Sequence, residues 1–206
     1  MTEHFKPEAP AYEVLNTEHC FKGFYGVDLL QVRYRRFSGE MGRSVSRELF
    51  LHHSSVCLLP YDARRDKVVL IEQFRVGAIG RVDNPWLLEL VAGLLDKPDE
   101  PVEEAARREA EEEAGLELGR LWLINKCLTS PGCTNEYAHI YLGECDSSKA
   151  SGVHGLVEED EDIRVHVLDF DEALQAVLKG EMPSAPCMLA IYWLASNRDR
   201  VREAWA

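Results

Sequence analysis

Apolar positions recur along this chain with two spacings, one that suits strands and one that suits helices. Up to about Phe50 the runs YEVL and VDLLQVRYRRF are strand-like and separated by glycines. In the second run Leu29, Val32 and Tyr34 mix with Gln31, Arg33 and Arg35, as in a half-exposed sheet. SSVCLLPYD and KVVLIEQF are more continuously apolar, and the turn YDARRD between them predicts a hairpin with buried centres. WLLELVAG reads as a further strand stopped by Gly93, and RLWLINKCLTS, EYAHIYLGEC and IRVHVLD as later ones. A helix is expected from about Pro101 to Ala114, with Asp99 or Glu100 near its cap, Pro101 in its first turn and Gly115 as its stop. Phe170, Ala173, Leu174, Val177 and Leu178 fall at helical spacing before Gly180, and SAPCMLAIYWLASNRDRVREAW reads as a last helix. The sum is an α+β protein, an α/β/α sandwich with a mixed β-sheet between helices. Residues 1–50 form a small β-rich N-terminal appendage and 51–206 the main domain.

Composition narrows the function. With 206 residues, 46% of them apolar, and four tryptophans, the chain can bury a proper core. A net charge of −13 argues against non-specific nucleic-acid or anionic-membrane binding, and no long apolar span is present. A phosphate-bearing substrate would therefore need recruited cations. The polar, proline-bearing opening MTEHFKPEAP predicts no export signal. Six scattered cysteines without a C-x-x-C pair predict free thiols in a reducing cytoplasm. The seven histidines offer no H-E-x-x-H, and His52-His53 reads as a strand end. Neither a P-loop nor G-x-G-x-x-G nor G-x-S-x-G occurs.

The acidic helix carries the chemistry. At about 100° per residue from Val102, Ala106 falls at about 40°, Glu109 at about −20° and Glu113 at about 20°. They share the stripe that a packed helix turns inward, with Glu112 on its border at about −80°. Glu104 and Glu111 lie opposite, toward solvent. Two carboxylates about 4–6 Å apart in a partly buried setting repel by a few kcal/mol, so they take up a proton or bind a divalent cation. Oxygen-only ligands suit Mg2+ or Mn2+. Ala105, Ala106 and Ala110 leave room for ions and their waters. The ordinary reading of a Glu-rich helix is a solvated acidic face. It fails here because the outer face is satisfied without Glu109 or Glu113.

This stretch closely resembles the signature of the Nudix hydrolases: Gly, five residues, Glu, seven residues, Arg-Glu, an apolar position, any residue, Glu-Glu, any residue, Gly, an apolar position. It maps onto Gly93, Glu100, Arg108, Glu109, Ala110, Glu112, Glu113, Gly115 and Leu116. One departure stands out: six residues, LLDKPD, separate Gly93 from Glu100, so the loop carries an insertion or Asp99 stands in. Glu100 keeps the seven-residue spacing to Arg108 and is preferred. In the family this Glu pairs with the Arg to hold the helix. Pro131, sixteen residues after Gly115, together with WLLELVAG, GFYGVDL, SGVHGL and EDEDIRVHV, extends the resemblance to the bacterial ADP-ribose pyrophosphatase branch over nearly the whole chain.

The resemblance implies a Nudix fold and Mg2+-dependent hydrolysis of ADP-ribose to AMP and ribose 5-phosphate. It implies two or more ions per site, Mg2+ or Mn2+, held by Glu109, Glu112, Glu113 and the Ala92 carbonyl. In the acidic run Glu158 to Asp162, Glu159 matches the position that activates water, with Glu161 its close rival. Phe24 is implied to stack on adenine, Arg47 and Arg75 to lie near the phosphates or base, and Glu136 near the terminal ribose. Each also has a plain structural reading: Phe24 as core, the arginines as surface ion-pair partners, Glu136 as a strand-edge charge. Relatives swap the appendage onto a partner subunit, which implies a homodimer. Rival substrates are ADP-sugars, NADH and dinucleoside polyphosphates. A rival of another class is a non-catalytic ADP-ribose-binding regulator, which an intact set of glutamates disfavours.

Overall fold

A computed structural model of the chain describes residues 11–156 and 160–205. Two compact units emerge: Met1–His53 with Ser130–Glu136, and Ser54–Thr129 with Tyr137–Ala206.

In the first unit, β1 (Tyr12–Lys22), β2 (Gly26–Tyr34) and β3 (Val45–Leu51) form an antiparallel three-stranded sheet in that order. The sequence pattern does not mark β3 as a separate strand, because Arg47 and Glu48 dilute its alternation. Tyr12, Val14, Leu15, Phe21 and Phe24 are all exposed. Asp28 is buried and hydrogen-bonded to His19 Nδ1 at 2.7 Å. A sheet this small has too little area to bury its own apolar side chains.

The second unit holds β4 (Ser55–Asp62), β5 (Lys67–Phe74), β6 (Trp86–Glu89), β7 (Val91–Leu94), α1 (Val102–Ala114), β8 (Leu121–Leu128), β9 (Tyr137–Glu144), β10 (Val153–His154), β11 (Ile163–Asp169), α2 (Phe170–Leu178) and α3 (Ala185–Trp205). Its sheet runs β10-β11-β5-β4-β9-β8 and is mixed, since β4 and β9 are parallel and the other pairs antiparallel. Alternation along the buried strand β4 serves two cores. Cys57, Leu59 and Tyr61 join the cluster under α2 and α3, while Val56 and Leu58 join the cluster under α1. The fold is therefore α+β, with helices on both faces of a mixed sheet. Among the described residues no helix is long and apolar enough to cross a membrane.

The expected single strand WLLELVAG is two. Strands β4 and β5 pair with each other only at Tyr61–Asp62 and Lys67–Val68, and then part. Strand β6 pairs with β5, β7 pairs with β4, and the buried Leu90 joins them across the opening. Gly93 lies inside β7 instead of ending a strand, and this puts it under α1. Pro101 is likewise the N-cap of α1, extended at φ −61° and ψ 142°, and the first turn follows it.

Candidate active site

Helix α1 is aimed by its ends and its alanines. Glu103 and Glu104 occupy the first turn, where the helix dipole favours them. Gly115 ends the helix in the left-handed region at φ 62°, and a Cβ there would meet His154 Cε1 at 2.9 Å. Ala105, Ala106, Ala110 and Ala114 are fully buried, so the helix lies close on the sheet. The same stripe carries Glu109 and Glu113, only 9% and 3% exposed, while Glu111 faces solvent.

Each of these carboxylates is engaged by the protein itself. Glu113 Oε2 accepts the Ala92 backbone N–H at 3.0 Å. Arg108 Nη1 lies 2.7 Å from Glu109 Oε1 and 2.9 Å from Glu112 Oε2. The same guanidinium grips Glu100 bidentately, Nε to Oε1 at 2.9 Å and Nη2 to Oε2 at 3.1 Å. Glu100 is therefore the residue paired with Arg108. Next to it Asp99 adopts a left-handed φ of +66°. Gly93 is required by proximity: a Cβ there would stand 1.8 Å from Glu109 Oε1 and 2.1 Å from its Cδ.

One arginine among four carboxylates, Glu100, Glu109, Glu112 and Glu113, leaves the cluster short of positive charge. Burial pushes the Glu113 carboxyl up to about 8, with the charges of Glu109 and Glu161 adding, and the Ala92 N–H and Arg75 opposing. Glu109 is raised too, chiefly by burial, against the pull of Arg108. The Arg108 hydrogen bonds hold Glu100 below the usual carboxylate range. Among the described residues, no group of three or more His, Cys, Asp or Glu side chains is gathered in metal-holding geometry. Arg108 draws Glu109 and Glu112 to itself, and Glu113 turns to Ala92. The donor set still fits a hard divalent cation. It is all oxygen, two of its members are buried, and the missing Cβ of Gly93 lets the Glu109 carboxylate lie against β7.

The remaining candidates divide between the units. Glu159 lies outside the described residues. Glu161 Oε2 accepts the Leu156 N–H at 3.1 Å, and its own N–H donates to Leu156 O at 3.2 Å. A Cβ on Gly155, at φ +110°, would meet Glu161 Cβ at 2.7 Å, so position 155 needs glycine. Arg75 Nε pairs with Glu89 Oε2 at 2.6 Å, a partner that the sequence alone did not reveal. In the first unit Phe24 is 74% exposed and edge-on to Tyr25, so it is no core residue. Arg47 is exposed and donates to Ser46 O at 2.8 Å. Glu136 Oε1 stands 3.9 Å from His52 Nδ1.

The Glu100–Arg108 grip carries a prediction. Glu100→Gln keeps the shape but removes the charge, which frees Arg108 to lean on Glu109 and Glu112. Supporting contacts of this kind are worth roughly 10–100-fold in metal affinity or activity. A magnesium titration of activity should show the half-saturating concentration rising by that order, and an unchanged titration would contradict the role.

Residues 51–189 match the NUDIX domain family. The chain is 44% identical over 194 residues to the ADP-ribose pyrophosphatase of Escherichia coli (strain K12), covering 94% of this chain and 92% of that one. It is 35% identical over 206 residues to the ADP-ribose pyrophosphatase of Haemophilus influenzae, covering 98% and 94%. A GDP-mannose pyrophosphatase of Escherichia coli (strain SMS-3-5 / SECEC) is 36% identical over 163 residues, covering 79% and 83%. In fold, the crystal structure of an ADP compounds hydrolase matches with a TM-score of 0.68 over 93% of this chain and 98% of that one, at 20% identity. By its signature helix and by these likenesses, the chain belongs to the NUDIX family, in the branch of the bacterial ADP-ribose pyrophosphatases.

Proposed function

We propose that this protein hydrolyses the diphosphate bond of ADP-ribose, releasing AMP and ribose 5-phosphate, with Mg2+ as its cofactor and Mn2+ as a substitute. The observation that carries this reading is the buried pair Glu109 and Glu113 on α1, packed against β7 at Gly93 and Ala92. The names of the similar bacterial proteins support the substrate.

Diphosphate hydrolysis needs an in-line water, a base and positive charge against two phosphates. Bound Mg2+ supplies that charge and a more acidic water. Glu109, Glu112, Glu113 and the Ala92 carbonyl hold the ions, two or more per site. Glu159 takes the proton of the attacking water, with Glu161 the alternative. Arg75 and Arg47 serve the phosphates or base, Phe24 stacks on adenine, and Glu136 takes the terminal ribose hydroxyls. The exposed apolar side chains of the β1–β3 sheet support a homodimer in which a second copy covers them. The scattered cysteines, with the Cys145 and Cys187 thiols pushed up to about 12 by burial, support a cytoplasmic protein.

The test is a substrate comparison at fixed Mg2+: ADP-ribose against ADP-glucose, GDP-mannose, NADH and diadenosine polyphosphates. The highest kcat/KM is expected for ADP-ribose, and a preference for GDP-mannose would move the protein toward its other relatives. Tight binding of ADP-ribose without turnover would make it a regulator instead.

A further inference from the structure

The segment Ser130–Glu136 is fastened to the end of β3 by three contacts far apart in sequence. Phe50 N–H donates to Cys133 O at 2.8 Å, Phe50 and Thr134 form a parallel bridge, and His52 N–H donates to Asn135 Oδ1 at 2.8 Å. The last is unusual, because a side-chain oxygen continues the ladder where the strand's own pairing has stopped at Leu51. It clamps the residue just before Glu136.

His52 is held as firmly. Its ring stacks on Tyr25, with centroids 4.6 Å apart and planes at 16°, and its Nδ1 donates to His53 O at 2.6 Å. The same Nδ1 stands 3.9 Å from Glu136 Oε1, and the two side chains are 16% and 23% exposed. The Glu136 N–H also donates to Thr134 Oγ1, at 3.3 Å. A carboxylate that selects sugar hydroxyls must present its oxygens in one orientation, and a turn tip would not do this unaided.

We infer that Asn135 and His52 are positioning residues that fix the Glu136 carboxylate for the hydroxyls of the substrate's terminal sugar. The inference rests on the reading of Glu136 given above. Losing the Asn135 oxygen leaves the His52 N–H without its partner and frees the segment. Asn135→Ala should raise KM for ADP-ribose by roughly five- to tenfold, with the loss falling on KM and not on kcat. Asn135→Asp keeps an oxygen at the same place and should restore KM.

The experiment is steady-state kinetics of Asn135→Ala, Asn135→Asp, Glu136→Gln and the Asn135→Ala/Glu136→Gln double variant, with amide hydrogen exchange at His52. The expected result is a raised KM in Asn135→Ala, rescue by Asp, faster exchange at His52, and no added KM effect of Asn135→Ala once Glu136 is Gln. A Glu136→Gln enzyme with unchanged KM would overturn the reading of Glu136 itself. With Glu136→Gln impaired, an unchanged KM in Asn135→Ala, or losses that multiply in the double variant, would overturn the positioning role alone.

Discussion

Glu113→Gln is expected to abolish hydrolysis, by roughly 10²–10³-fold or more, while the chelated protein stays folded and melts higher at alkaline pH. Glu113 is 3% exposed, and its carboxyl is pushed up to about 8 by burial and by the charges of Glu109 and Glu161. In the unfolded chain the same group titrates near 4.3, as an ordinary Glu does (about 4.3). A raised carboxyl stabilises the fold fully below the unfolded value, and this contribution is lost as pH rises through the folded value. Without metal, the wild type should therefore weaken between about pH 4.5 and pH 8, by an order of a few kcal/mol. Glutamine carries no charge to bury and can still accept the Ala92 N–H through its amide oxygen. Its melting temperature in chelator at pH 8.5 should exceed the wild type's by roughly 5–10 °C. Added Mg2+ should raise the wild type and leave Glu113→Gln unmoved. Thermal melts at pH 5 and 8.5, with and without Mg2+, check all of this. A Glu113→Gln protein that unfolds in chelator would remove the reason for calling α1 a metal platform.

Gly93→Ala is expected to be nearly as damaging to activity, by a different route. The added methyl would lie 1.8 Å from Glu109 Oε1 and 2.5 Å from its Cγ, closer than any real contact. The carboxylate must swing away, because Gly93 is hydrogen-bonded into β7 beside β4 and the backbone cannot yield cheaply. Glu109 is a flexible side chain on a rigid helix, so the fold should survive and the site should not. Activity is expected to fall by roughly 10²-fold or more, as for a misplaced catalytic group, with a stability loss of about 1–3 kcal/mol. Kinetics and a denaturant titration on the same preparation separate the two effects. A large stability loss with unchanged specific activity would mean that the close approach serves packing only.

How far these features are legible in the sequence depends on the range of the interactions. The inward stripe of α1 is legible because helical periodicity alone puts Glu109 and Glu113 with Val102 and Ala106, and they are indeed turned toward the sheet. Gly115 is legible for the same local reason: a left-handed stop favours glycine. The break in WLLELVAG is not. A continuous apolar run does not say that its first half pairs with β5 and its second with β4. The choice of Glu100 over Asp99 is legible too, because the seven-residue spacing to Arg108 favours it, and Arg108 grips Glu100 bidentately. The attachment of Ser130–Glu136 to β3 joins residues 83 positions apart at its Asn135 contact, and no local pattern carries it. Phe24 is ambiguous for a related reason: an aromatic in a strand-rich stretch fits core and surface alike, and only its exposure separates them.

One assay tests the central claim most directly: release of AMP and ribose 5-phosphate from ADP-ribose, measured with Mg2+, after chelation, and after Mg2+ is restored, in wild type and in Glu113→Gln. Turnover that stops with chelator, returns with Mg2+ and never appears in Glu113→Gln is the result expected from two buried carboxylates serving as a cation platform. Turnover that persists in chelator, or in Glu113→Gln at the wild-type rate, would contradict it.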